Sequence, residues 1–173
     1  MAIPDDENRI EPSDEFRRDL ARLLNGYLVL QDALASDDAK AAVVAVNDVK
    51  TILGSVVPRD DQVQEYWEHP KNKLNVALAD IPIEIEKQRE VFEKLSNAFI
   101  QIVELFGNPL DVPIRVAHCP MAFGNKGANW IQKRKEIRNA YFGSEMLACG
   151  SIERNVAPSN SPKMEPSGQP ESQ

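Results

Sequence analysis

The feature that most constrains this chain is an apolar ladder near its start. Phe16, Leu20, Leu23, Tyr27, Leu30 and Leu34 follow one another in steps of 4, 3, 4, 3 and 4 residues. That spacing places all six side chains on one helix face. Such a helix gains most of its stability by burying that face, so partners are needed. Partners are available. Phe92, Leu95, Phe99, Ile102 and Phe106 repeat the pattern, and Ala42, Val46, Val49 and Leu53 form a third face. Tyr66, Trp67, Leu74, Ala77, Leu78 and Ile81 are spaced more loosely, and Pro70 among them is expected to start, kink or end a helix. Ser13, followed by Asp14 and Glu15, reads as an N-cap with acids in the first turn, and Ser36-Asp37-Asp38 as a break and new cap. Gly54 with Pro58, and Gly107 with Pro109, read as stops. The expectation is an all-α fold, a four-helix up-down bundle over about residues 13–107.

Beyond Gly107 the character changes. Ile114 to Cys119 carries β-branched residues and reads as a short strand, and 150–156 as a second. Phe123 to Gly127 is rich in turn residues, and Trp130 to Tyr141 is mixed and charged, suggesting one or two helical turns. Pairing the two strands would give a small C-terminal cap with a two-stranded hairpin and set Cys119 beside Cys149. Residues 1–12 and 157–173 have the composition of a disordered lead-in and tail, leaving 13–156 as one domain. A net charge of −7 argues against nucleic-acid binding, which needs clustered Lys and Arg. No stretch approaches the roughly 18 apolar residues of a membrane span. The acidic, proline-containing start does not read as a signal peptide.

The chemistry-bearing residues lie in the cap. Both cysteines and two of the four methionines fall in His118-Cys119-Pro120-Met121 and Met146-Leu147-Ala148-Cys149. On a strand Cys119 and Met121 would share a face, and on a helical turn so would Met146 and Cys149. Thiolates and thioethers together form a soft donor set that selects Cu(I). Cys119, Met121, Met146 and Cys149 are therefore candidate metal ligands, with His118 a further candidate. Two other readings stand beside this one. Two cysteines on adjacent strands can be bridged, and closing a loop of about thirty residues contributes roughly 3 kcal/mol in the chain-entropy model. Methionines also serve as core filler. His118 alternates with Cys119 and points the other way on a strand, as a surface histidine would, and His69 beside Pro70 reads as an exposed loop residue. Trp130, Tyr141 and Phe142 read as the packing of cap against helices. No nucleophile, base and orienting group form a recognisable set, so no enzyme is expected.

Four blocks, taken in order, carry a family resemblance. They are His118-Cys119-Pro120-Met121-Ala122, Lys126-Gly127-Ala128-Asn129-Trp130, Ile137-Arg138-Asn139-Ala140-Tyr141-Phe142-Gly143 and Met146-Leu147-Ala148-Cys149-Gly150. With Tyr27-Leu28, Ala33-Leu34 and Gln88 to Ser96, they resemble the C-terminal helical domain of CusB-like periplasmic adaptor subunits of heavy-metal RND efflux systems. That domain also occurs alone as an exported protein and was long catalogued as of unknown function. Ala140 stands where the family usually has proline, and the adaptor's barrel, lipoyl and hairpin modules are not in this chain. The resemblance covers about 13–155. It implies a helical bundle, a periplasmic or otherwise extracytoplasmic location, and Cu(I) or Ag(I) handling with an efflux-pump or metallochaperone partner. The alternative is a helical interaction module, stabilised by a Cys119–Cys149 disulfide, that docks on an efflux or oxidase-assembly partner without metal.

Overall fold

A computed structural model describes residues 9–159, so most of the expected lead-in and tail lies outside the described residues. Four long helices occur in order: α1 (Asp14–Ala35), α2 (Ala39–Leu53), α3 (Asp61–Ala77) and α4 (Ile85–Phe106). The starts of α1, α2 and α3 are capped by side chains, because the first amides of a helix lack internal acceptors. Ser13 Oγ accepts from the Phe16 amide at 3.2 Å, Asp38 from Ala41 at 2.9 Å, and Asp60 from Val63 at 3.0 Å. Every residue of the α1 and α4 ladders is buried. The ladders meet through rings: Tyr27 stacks on Phe92 with centroids 5.1 Å apart, and Phe16 meets Phe106 edge-on at 5.4 Å. Pro70 neither starts nor ends a helix. It lies inside α3 and is buried, so the helix gives up one amide donor there and continues.

The all-α expectation is wrong. The remaining chain forms a three-stranded antiparallel sheet, and the domain is a mixed α/β fold. Its strands are β1 (Ile114–Cys119), β2 (Ala128–Gln132) and β3 (Ser151–Val156), in spatial order β2-β1-β3. The cap therefore holds one strand more than a hairpin, and β2 occupies part of the stretch read as helical. A short segment, α5 (Ala122–Asn125), lies between β1 and β2 and is a tight turn, with Phe123 at φ 52° and Gly124 at φ 65°.

The extra strand was hidden because β2 and its neighbour β1 carry buried residues on both faces. Residues paired directly across strands point to the same side. Val116 pairs with Ile131 and Ile114 with Val156, which makes one buried face. Ala117 pairs with Trp130 and Cys119 with Ala128, which makes another. A strand covered on both sides has no apolar-polar alternation to detect. One irregularity interrupts β3: Val116 faces Arg154 and Ala117 faces Ile152, leaving Glu153 as the extra residue of a bulge.

Helices and sheet are tied by polar groups as well as packing. The Tyr27 hydroxyl, fully buried, lies 2.7 Å from Ser96 Oγ and accepts from the Ile131 amide at 3.0 Å. Burial pushes the Tyr27 hydroxyl's pKa well above its usual range, so it stays protonated. Arg89 on α4 is nearly buried. It donates to the Leu34 carbonyl (3.3 Å), the Ala140 carbonyl (2.9 Å) and the Asp37 carboxylate (2.8 Å). Gly143 packs so closely on this cluster that any β-carbon would run into Asp37 and Arg89, and its φ of +59° also suits glycine.

Candidate metal site

Strand β1 runs through the centre of the sheet and carries Cys119 as its last residue, fully buried. The return strand β3 begins at Ser151, paired with His118, so Cys149 lies just before the paired region, close to the end of β1. The two thiol sulfurs stand 3.4 Å apart and are not bonded. The pairing of the two strands thus brings the cysteines together as expected. Contact with Cys119 raises the pKa of the Cys149 thiol, and burial raises it further. A thiol held protonated in the fold favours the native state below the ordinary thiol range and loses that contribution as pH climbs through the raised value. Any ion binding here must also displace those protons.

Cys149 is held in place from both sides. Its amide donates to the Met146 carbonyl at 3.1 Å, closing a tight turn over 146–149. Its carbonyl accepts from Asn139 Nδ2 at 2.8 Å. Asn139 is fully buried, and its Oδ1 accepts from the Tyr141 amide at 2.8 Å and the Phe142 amide at 3.1 Å. Tyr141 fills the space between the layers, with its ring 5.4 Å from Phe92, 5.4 Å from Phe123 and 5.9 Å from Trp130. The Phe123 contact offsets the cost of its left-handed backbone, about 1–2 kcal/mol for a residue with a side chain.

One methionine is placed differently from the sequence expectation. Met121 does not share a strand face with Cys119, because β1 ends at Cys119 and Met121 sits in the following turn at φ −92°, ψ −12°. It is 46% exposed, so it is not core filler. Met146 is half-buried at the start of the turn that ends in Cys149. His118 is half-buried on the face opposite Cys119. Its Nδ1 is 2.7 Å from Asn129 Oδ1, and its ring lies so close over Gly127 that a β-carbon there would come within 2.9 Å. Among the described residues no group of three His, Cys, Asp or Glu is placed to hold a metal ion. The donors that do converge are the two sulfurs, a set suited to a soft ion and not to a hard one.

The polar residues that position this site are Asn139, bonded to the Cys149 carbonyl, and Arg89, bonded to the neighbouring Ala140 carbonyl. In sequence a buried asparagine looks like a surface one. The available signal was that Arg89 and Asn139 fall inside blocks that carried the resemblance without a role assigned to them.

Residues 23–110, about half of the chain, match a family described as a protein of unknown function, DUF3347. The chain belongs to the DUF3347 family. The DUF3347 match spans most of α1 through α4 and stops before β1, so it does not include either cysteine. No curated protein and no solved structure gives a significant match. No helix among the described residues of this DUF3347 protein is long and apolar enough to cross a membrane.

Proposed function

We propose that this domain carries Cu(I) or Ag(I) as cargo on Cys119 and Cys149, in an extracytoplasmic compartment, in heavy-metal efflux or metal transfer. It acts as a carrier and not as an enzyme. The observation that supports this is the 3.4 Å approach of two unbonded thiols, one buried and one partly exposed. Two sulfurs sharing a tetrahedral ion at about 2.3 Å each stand about 3.8 Å apart, so the pair needs to open by only a few tenths of an ångström. Met121, exposed in the next turn, and Met146, at the head of the Cys149 turn, are the nearest thioethers in sequence; His118, the further candidate donor, is bonded to Asn129 and would have to leave it to join them. The likeness of the 118–150 blocks to CusB-like adaptors supports the compartment and the partner, an efflux component or a metallochaperone.

The test is a Cu(I) titration against a chromogenic chelator, on fully reduced and fully oxidised protein. The reduced chain should take up one Cu(I), and the oxidised chain should lose that binding, because a disulfide consumes both thiolates. Equal binding by the two forms would remove the cysteines from the site.

The same 3.4 Å contact also favours a second reading, a disulfide-stabilised interaction module. The sulfurs would then close to about 2.05 Å. A thiol count on protein never exposed to reductant separates the two. Free thiols support the carrier, and their absence supports the bridged module.

A further inference from the structure

Away from the cysteines, the fold builds and presents a compact cationic loop with no internal task. Gln132, at the end of β2, is nearly fully buried, and its amide makes four hydrogen bonds. Its Nε2 donates to the carbonyls of Arg134 (2.8 Å) and Glu136 (2.7 Å), and its Oε1 accepts from Trp130 Nε1 (3.0 Å) and the Arg138 amide (3.1 Å). Arg115 donates to the Lys133 carbonyl. Gln31 on α1 donates to the Arg138 carbonyl at 2.7 Å. The backbone of 133–138 is thereby fixed at five points, and Lys133, Arg134 and Lys135 project into solvent in succession. Lys133 reaches only the neutral Asn25, at 3.3 Å. Among the described residues, Arg134 and Lys135 have no side-chain hydrogen bond or ion pair.

Beside the loop runs an open groove of about 330 Å³, bounded by Lys133 and Arg134 on one side and by Asn25, Val29 and Asp32 of α1 on the other. Val29 is 59% exposed in it. The one acid of the groove, Asp32, is paired with Arg138 at 3.2 Å. Glu136, exposed in the same loop, offsets one charge, and Lys133, Arg134 and Lys135 together still leave the local balance positive, although the chain as a whole carries −7. At physiological salt charges beyond about 8 Å are largely screened, so the local cations govern contact.

We infer that this loop and groove form a docking surface for an acidic segment of a partner protein, one that sets carboxylates on Arg134 and Lys135 and an apolar side chain against Val29. A concave groove with an apolar floor receives a chain segment. A flat bilayer would span it without filling it. The inference stands apart from the metal reading, since none of its residues belongs to the sulfur site.

The test uses the full chain and two labelled peptides followed by fluorescence anisotropy, one alternating Asp with Leu and one alternating Asn with Leu. Phosphatidylglycerol vesicles and sedimentation of the protein alone provide the other arms. The Asp peptide should bind, more weakly as salt rises, and the Asn peptide should not. The double variant Arg134→Ser/Lys135→Ser should weaken binding at least about tenfold, and Val29→Ser should weaken it less. Lys40→Ser/Lys50→Ser, which removes two exposed cations on α2, should leave it unchanged. Unaltered melts verify the fold of each variant, since all these side chains are exposed. Equal losses in the two double variants would show general charge attraction and overturn the inference. So would vesicle binding without peptide binding, or self-association that depends on Arg134 and Lys135.

Discussion

Asn139 is the residue whose removal should report most directly on how the thiol pair is held. Truncation in Asn139→Ala deletes three hydrogen bonds: two accepted from the Tyr141 and Phe142 amides and one donated to the Cys149 carbonyl. Leaving a buried polar group without its partner costs about 1–3 kcal/mol. The Tyr141 amide is buried and should incur most of that, while the Phe142 amide and the Cys149 carbonyl are nearer the surface and recover part of theirs from water. The expected loss is about 2–4 kcal/mol, or roughly 5–15 °C in melting temperature for a chain of this size. A second substitution isolates the tie to the site. Asn139→Asp keeps an acceptor for both amides but sets a carboxylate oxygen against the Cys149 carbonyl. Burial disfavours the charge and raises that carboxyl's pKa above the ordinary value of about 3.9. A group whose pKa is raised on folding supports the fold below its unfolded value and ceases to as pH rises through the folded one. The stability deficit of Asn139→Asp, measured against the parent at each pH, should therefore narrow as pH falls toward about 4. Both variants should also form the Cys119–Cys149 disulfide more slowly at a fixed oxidant concentration, because the Cys149 turn is no longer anchored. Paired thermal melts and timed thiol counts are sufficient assays. If both variants melt with the parent and oxidise at its rate, Asn139 does not position the pair.

Further outcomes follow from the same geometry. Leu20 is 1% exposed in the α1 ladder, so Leu20→Ala should cost about 2–5 kcal/mol in a denaturant melt; an unchanged midpoint would contradict its core position. Met121→Leu with Met146→Leu roughly conserves volume and should barely move the melt while weakening Cu(I) binding in the chelator titration; equal affinity would leave only the cysteines as sulfur donors. The Asp37 carboxyl is held below its usual range by hydrogen bonds from Ser144 and by Arg89. Its contribution is present above the unfolded carboxyl value and is lost as pH falls through the folded one, so Asp37→Asn should flatten the acid limb of stability against pH below about pH 4.

The parts of this molecule that were legible in sequence are those in which one face is wet. Helices α1, α2 and α4 announce themselves because their outer faces are polar, which leaves the apolar ladder visible against them. The strands of Ile114–Cys119 and Ser151–Val156 showed through their β-branched residues, and the adjacency of Cys119 and Cys149 followed from pairing them. Ala128–Gln132 did not show, since Ala128, Trp130, Ile131 and Gln132 are all buried and no period survives. Of the outcomes expected at Pro70, a helix start and a helix end are excluded, because the residue lies inside α3 with its ring buried. At the site, Met121 was placed on the Cys119 face by extending β1 through Pro120, where the strand in fact ends. Gln132 and Asn139, the residues that organise the cap, are polar side chains whose burial no local pattern records.

The hydroxyl of Tyr27 has a consequence for the way the domain opens. β2 is an edge strand, and edge amides normally exchange with solvent through small local excursions. The Ile131 amide instead points at a fully buried phenol of α1, which Ser96 of α4 also holds. Releasing that proton to water requires the sheet and the helical layer to part. In hydrogen–deuterium exchange the Ile131 amide should therefore be as slow as the most protected amides of α1 and α4, a sign that the two layers unfold as one cooperative unit.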